Sequence, residues 1–147
     1  MGTPVVVTEE RSIAAPPAVV WTLATDPAYY QRLSPQCRLL SATGQPGAPG
    51  AESVVAIRVG LLRFRVRARV VAARPGEEIT TESWRGRKPA GVQRGEVLPD
   101  GDGVLLRWTV TLPDGGLFPR QVEATCRANL VTWLAAIERE ALARELR

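Results

Sequence analysis

From Arg63 to Val70 the chain alternates without interruption: Arg63, Arg65, Arg67 and Arg69 take turns with Phe64, Val66, Ala68 and Val70. A period of two is that of an extended strand, whose side chains point alternately to opposite faces, so one face is wet and the other is buried. A helix cannot sort this octet, because a period of 3.6 spreads the arginines around every side. A strand buried on one face belongs to an antiparallel sheet with a cover on its inner side. The rest of the chain must supply the neighbouring strands and the cover.

The neighbours are legible as short apolar segments bounded by turn residues. They fall at residues 3–13, 38–43, 53–59, 62–73, 78–85, 91–98 and 104–112. Gly60 is expected to turn one hairpin and the PDGDG sequence another, with Pro75 and Gly76 between them. The cover is expected after PDGG at 113–116. Pro119 can open a helix, no Gly or Pro follows it, and Cys126, Leu130, Trp133, Leu134, Ile137 and Ala141 recur at three- and four-residue intervals. The spacing predicts one helix of about 28 residues, roughly 40 Å long. Two short helices are expected after the first strand. One is opened by Pro16-Pro17 and spans 18–24; the other is capped by Asp26 before Pro27 and runs through Tyr29, Tyr30 and Leu33.

Composition narrows the chemistry. The chain has no histidine, which removes Ser-His and Cys-His catalysis and the commonest metal ligand. Cys37 and Cys126 lack metal-ligand spacing and read as free thiols, so neither a metal nor a cofactor is expected. The GQPGAPG segment at 44–50 lacks the Gly-Lys-Ser/Thr ending of a phosphate loop. The net charge of +4 comes almost wholly from arginine, since Lys88 is the sole lysine. Such a surface attracts acidic partners. Nucleic acid is not expected, because no aromatic residue is placed among the outer arginines. No apolar run is long enough to span a bilayer and no secretory signal is visible at the N-terminus, so a cytoplasmic location without membrane contact is expected.

The stretch IAAPPAVVWTLATDPAYYQRLSP at 13–35 resembles the opening of the SRPBCC superfamily, which includes START-like, birch-pollen-allergen-like and polyketide cyclase/dehydrase proteins. The matching pieces are Ala15-Pro16, Val20-Trp21, Asp26-Pro27 and Tyr30, and GEVLPDGDGVLLRWTVTL at 95–112 resembles the family's penultimate hairpin. The resemblance implies an α+β helix-grip fold over residues 1–147 as one ligand-binding domain. In it a curved six- to seven-stranded antiparallel sheet wraps around the C-terminal helix and leaves a hydrophobic tunnel. In aromatic-polyketide cyclases the strand matching 62–73 places polar groups, an arginine among them, inside the cavity. Here Phe64, Val66, Ala68 and Val70 are expected there, a departure from that pattern.

The candidate site follows from these faces. Glu123, Tyr30 and Asn129 are the candidate proton-transfer groups; Glu123 equally suits a place near the start of the helix, where a negative charge is favoured. The expected ligand wall comprises Tyr29, Phe64, Val66 and Ala68, then Trp108, Cys126, Leu130 and Trp133. Thr81, Ser83 and Gln93 are assigned inward, because the opposite register of 78–98 would bury Glu82, Arg94 and Glu96. Trp21, Trp84, Trp108 and Trp133 are read as core or cavity wall. The leading functional expectation is binding of a lipid- or polyketide-like molecule. The alternative is a cofactor-independent cyclase or dehydratase acting on a polyketide-like substrate, with an acidic carrier protein as candidate partner.

Overall fold

The computed structural model describes residues 2–59 and 61–145. Strand β1 (Val5–Ile13) leads into helix α1 (Pro17–Thr25), a 3-10 turn (Pro27–Tyr29) and helix α2 (Tyr30–Leu33). Six strands follow: β2 (Cys37–Thr43), β3 (Glu52–Val59), β4 (Leu62–Arg74), β5 (Glu78–Arg85), β6 (Lys88–Asp100) and β7 (Gly103–Leu112). Helix α3 (Pro119–Glu145) ends the chain as described. The expected turn residue Gly60 and the helix end beyond 145 lie outside the described residues. Pro17 opens α1, and the Asp26 carboxylate accepts from the Ala28 N–H at 2.9 Å, starting the next turn as its cap.

All seven strands form one antiparallel sheet in the order β1-β7-β6-β5-β4-β3-β2. Register shifts at Leu39/Ser41, Val70/Ala72 and Ser83/Trp84 interrupt the ladders. Such bulges sharpen the twist and bend the sheet toward its concave face. In β4 all four alternating arginines are exposed, Val70 is buried, and Phe64, Val66 and Ala68 are half-buried.

The core occupies one end of the concave space. Val7, Ile13, Val104 and Leu106 from the β1–β7 pair meet Val20 and Leu23 of α1 and Leu134 and Ile137 of α3. Helix α3 has β1 and α1 as its nearest backbone neighbours. Its other flank faces the strands on the far side of the sheet, where the side chains are smaller.

Candidate functional site

The site arises from a mismatch in bulk. Opposite the first half of α3 the concave face carries Ser53, Ala68, Thr81 and Ser83, which are too short to reach the helix. The result is a cavity of about 1230 Å³, bounded by α3, the α2 segment, β2–β7 and the β2–β3 loop. Val66, Ala68 and Val70 form its apolar sheet wall, while Cys126, Leu130 and Trp133 form its helix wall. The cavity reaches the open end of the molecule, where Leu117 and Phe118 edge its mouth.

Polar groups interrupt this wall at separate points. Thr81, Ser83, Gln93, Tyr30 and Asn129 all line the cavity. The Ser83 hydroxyl donates to the Gly91 carbonyl at 3.2 Å. Tyr30 is held with Ser53 as a hydrogen-bond partner; burial, reinforced by Asp26 and Cys37, pushes its phenol from 10.0 up to about 12, with the Ser53 bond opposing the shift. Burial also raises the Cys37 thiol, and it raises that of Cys126 against the pull of Arg127. These three groups therefore keep their protons at neutral pH, so they donate hydrogen bonds and do not abstract protons. The charged lining residues Glu52 and Arg58 stand at opposite ends of β3, roughly 20 Å apart along an extended strand, and form no acid–base pair.

Two tryptophans make the floor. The Trp108 Nε1–H donates to Gln93 Oε1 at 2.8 Å, which fixes the amide and leaves its N–H groups as donors without a protein partner among the described residues. Trp133 meets Trp108 edge to face, with ring centroids 4.7 Å apart and planes at 77°. Gly95, opposite Trp108 in the ladder, makes this possible: a Cβ there would overlap the indole. The space left by Gly95 is thus filled by Trp108 and is not cavity.

Three residues expected in the site lie outside its wall. Tyr29 turns away from Tyr30 and packs its ring under the Arg144 guanidinium at 4.8 Å, because successive helical residues point about 100° apart. Phe64 is on the inner face, but the Arg85 guanidinium covers its ring at 4.0 Å and it does not line the cavity. Glu123 is half-exposed and pairs with Arg127 at 3.7 Å, one turn along the helix. Trp84, read as interior, faces outward, where the Arg67 guanidinium lies 5.1 Å from its ring; an aromatic residue does stand among the outer arginines. Conversely, Ser53, Cys37 and Thr125 line the cavity without having been singled out. For Ser53 the signal was present, since it shares the parity of the apolar Val55 and Ile57 on β3. Among the described residues no cluster of potential metal ligands occurs, and no helix is long and apolar enough to cross a membrane.

A curved sheet gripping a long helix, with an open apolar cavity between them, defines a helix-grip protein. The chain belongs to the SRPBCC superfamily and, within it, to the polyketide cyclase/dehydrase and lipid transport family, whose sequence profile matches residues 4–147. Among solved structures it is similar to TTHA0849 from Thermus thermophilus, with TM-score 0.75, 21% identity, and 95% of this chain and 98% of that one covered. Ara h 8.0201 aligns with TM-score 0.73 and 16% identity over 96% of this chain and 99% of that one. DynU16, a protein of the dynemicin biosynthetic locus, aligns with TM-score 0.66 and 18% identity over 91% of this chain and 46% of that one. None of the curated proteins matches the chain.

Proposed function

We propose that this protein binds a neutral, largely apolar small molecule carrying a few oxygen functions, of lipid- or polyketide-like character, without transforming it. The observation that carries this reading is the chemistry of the cavity wall. A volume of about 1230 Å³ is lined by apolar side chains with isolated hydroxyl, thiol and amide groups, and the titratable Tyr30, Cys37 and Cys126 hold their protons. Such a wall solvates a ligand's carbonyls and hydroxyls through the Gln93 amide, Ser53 and Tyr30. Its one lining carboxylate among the described residues, Glu52, stands at the far end of β3 from Arg58, so the wall offers no assembled acid–base pair.

The test is titration with N-phenylnaphthylamine, an apolar fluorescent probe, of the wild type and Ala68→Phe. The larger ring enters the cavity from the middle of β4 at a strain of about 1 to 3 kcal/mol, so circular dichroism must first establish that the variant folds. Affinity is expected to fall by about tenfold or more. A folded variant with unchanged affinity would sink the cavity as the binding site. The catalytic alternative draws on the Tyr30 hydroxyl as a proton donor to a substrate carbonyl and on the biosynthetic locus of DynU16. Turnover of a polyketide-like substrate that drops about 100-fold or more in Tyr30→Phe would favour it.

A further inference from the structure

The antiparallel ladders bring the β3–β4 turn, the β5–β6 turn and the β7–α3 connection to one end of the molecule, the end at which Leu117 and Phe118 of that connection edge the cavity. Two of these carry bare apolar residues. Leu61 is fully exposed and Leu62 62% exposed at one tip; Leu117 is 91% and Phe118 64% exposed at the other. The strand order places β5 and β6 between the tips, roughly 15 Å along the sheet. Around them stand Arg58, Arg63, Arg85, Arg87, Lys88 and Arg120, all exposed and none in an ion pair among the described residues. On the connecting loops themselves the one carboxylate among the described residues is Asp114, whose Oδ1 accepts from the Gly116 N–H at 2.7 Å. The opposite end is different: its turns and their flanks carry Glu77, Glu78, Asp100 and Asp102.

We infer that the open end docks on an anionic lipid surface, with the cavity mouth held against it. Separate apolar tips inside a cationic ring match an interface with anionic headgroups above and acyl chains beneath, where the cations stay in water and the tips insert. An acidic protein would use the same charges but has no need of apolar residues at the tips of two loops. The expectation of no membrane contact followed from the lack of a spanning segment, which shallow docking does not require. The inference rests on the cavity reading only for what is exchanged with the lipid; vesicle binding and probe titration are separate readouts, so either can fail alone.

The experiment is co-sedimentation of the full chain with phosphatidylcholine vesicles, with and without about 30% phosphatidylglycerol. Partition is expected only into the anionic vesicles, and it should fall by about tenfold or more in ~1 M salt, where the Debye length is about 3 Å. Leu117→Ser/Phe118→Ser should lose about tenfold or more, from apolar contact. Arg87→Ala/Lys88→Ala should lose about 30-fold, from two surface cations. Both pairs alter exposed side chains, and circular dichroism checks each fold. No partition of the wild type, or equal partition into neutral vesicles, would overturn the inference. So would binding lost in the charge variant but unchanged in the tip variant, which leaves the apolar tips no part in docking. Self-association of the lipid-free chain that the tip variant abolishes would overturn it too, assigning the tips to a second copy.

Discussion

The two halves of α3 belong to one unbroken helix, yet they do different work. From Leu130 onward the helix buries Leu134, Ala136, Ile137 and Ala141 against β1 and α1. Ion pairs tie it sideways, Glu138 to Arg11 at 2.8 Å and Glu140 to Arg32 at 3.1 Å. Before Leu130 no residue of the helix is buried. The apolar stripe continues through Val122 and Cys126, which pack against the core only in part and otherwise line the cavity, where the facing strands carry Ser53, Ala68 and Thr81. The cavity therefore needs no special motif. It forms where a rigid helix, held to β1 along one flank by Arg127 pairing with Glu9 at 3.2 Å as well as by Glu138 and Arg11, passes on its other flank over strands whose side chains are small.

The sharpest way to break this comparison is to truncate each half in turn. Ile137→Ala, at a fully buried position, should destabilise by about 2 to 5 kcal/mol in urea unfolding. Val122→Ala, at a half-buried one, should cost less than about 1 kcal/mol. Equal costs would mean that both halves are packed alike. A second effect belongs to the cavity side alone. Below pH 10 the Tyr30 phenol is protonated in folded and unfolded chains, so its ionisation does not affect stability. Above pH 10 the unfolded chain ionises first, while the folded chain holds the proton to about 12, so stability falls as pH rises. Relative to Tyr30→Phe the wild type should lose about 3 kcal/mol across that window, as read from urea midpoints at successive pH values. The smallest expected effect is at Asn129, which is exposed on the cavity side. Asn129→Ala should change stability by no more than about 0.5 kcal/mol, and a larger loss in thermal unfolding would show that the open half carries load.

Much of this was legible because strands report their faces locally. The alternation at 63–70 gave β4 its inside and outside, and the cost of burying Glu82, Arg94 and Glu96 gave the register that places Thr81, Ser83 and Gln93 on the cavity wall. The choice between neighbouring residues on a short helix was not legible. Tyr29 and Tyr30 differ in direction by one helical step, and only the packing of α3 decides which faces inward. Phe64 has the right parity but is covered by the Arg85 guanidinium from the neighbouring strand, a cross-strand contact that periodicity does not encode. For Trp84 the parity points outward, and strand parity here overrides the affinity of large aromatics for cores. Glu123 was open to two readings, and its neighbour Arg127, one turn on, is where its carboxylate is found.

The indoles of Trp108 and Trp133 stand edge to face, 4.7 Å apart, at the boundary between packed core and cavity. At that distance their electronic transitions couple, and a pair held at a fixed angle gives paired circular dichroism bands of opposite sign that two independent tryptophans do not. Trp84, on the outer face, does not share this coupling. The protein thus carries its own gauge of the cavity floor. A ligand that reaches the floor and tilts either ring will change the paired bands, while one that stops near the mouth will leave them as they are, so depth of entry can be read without a label.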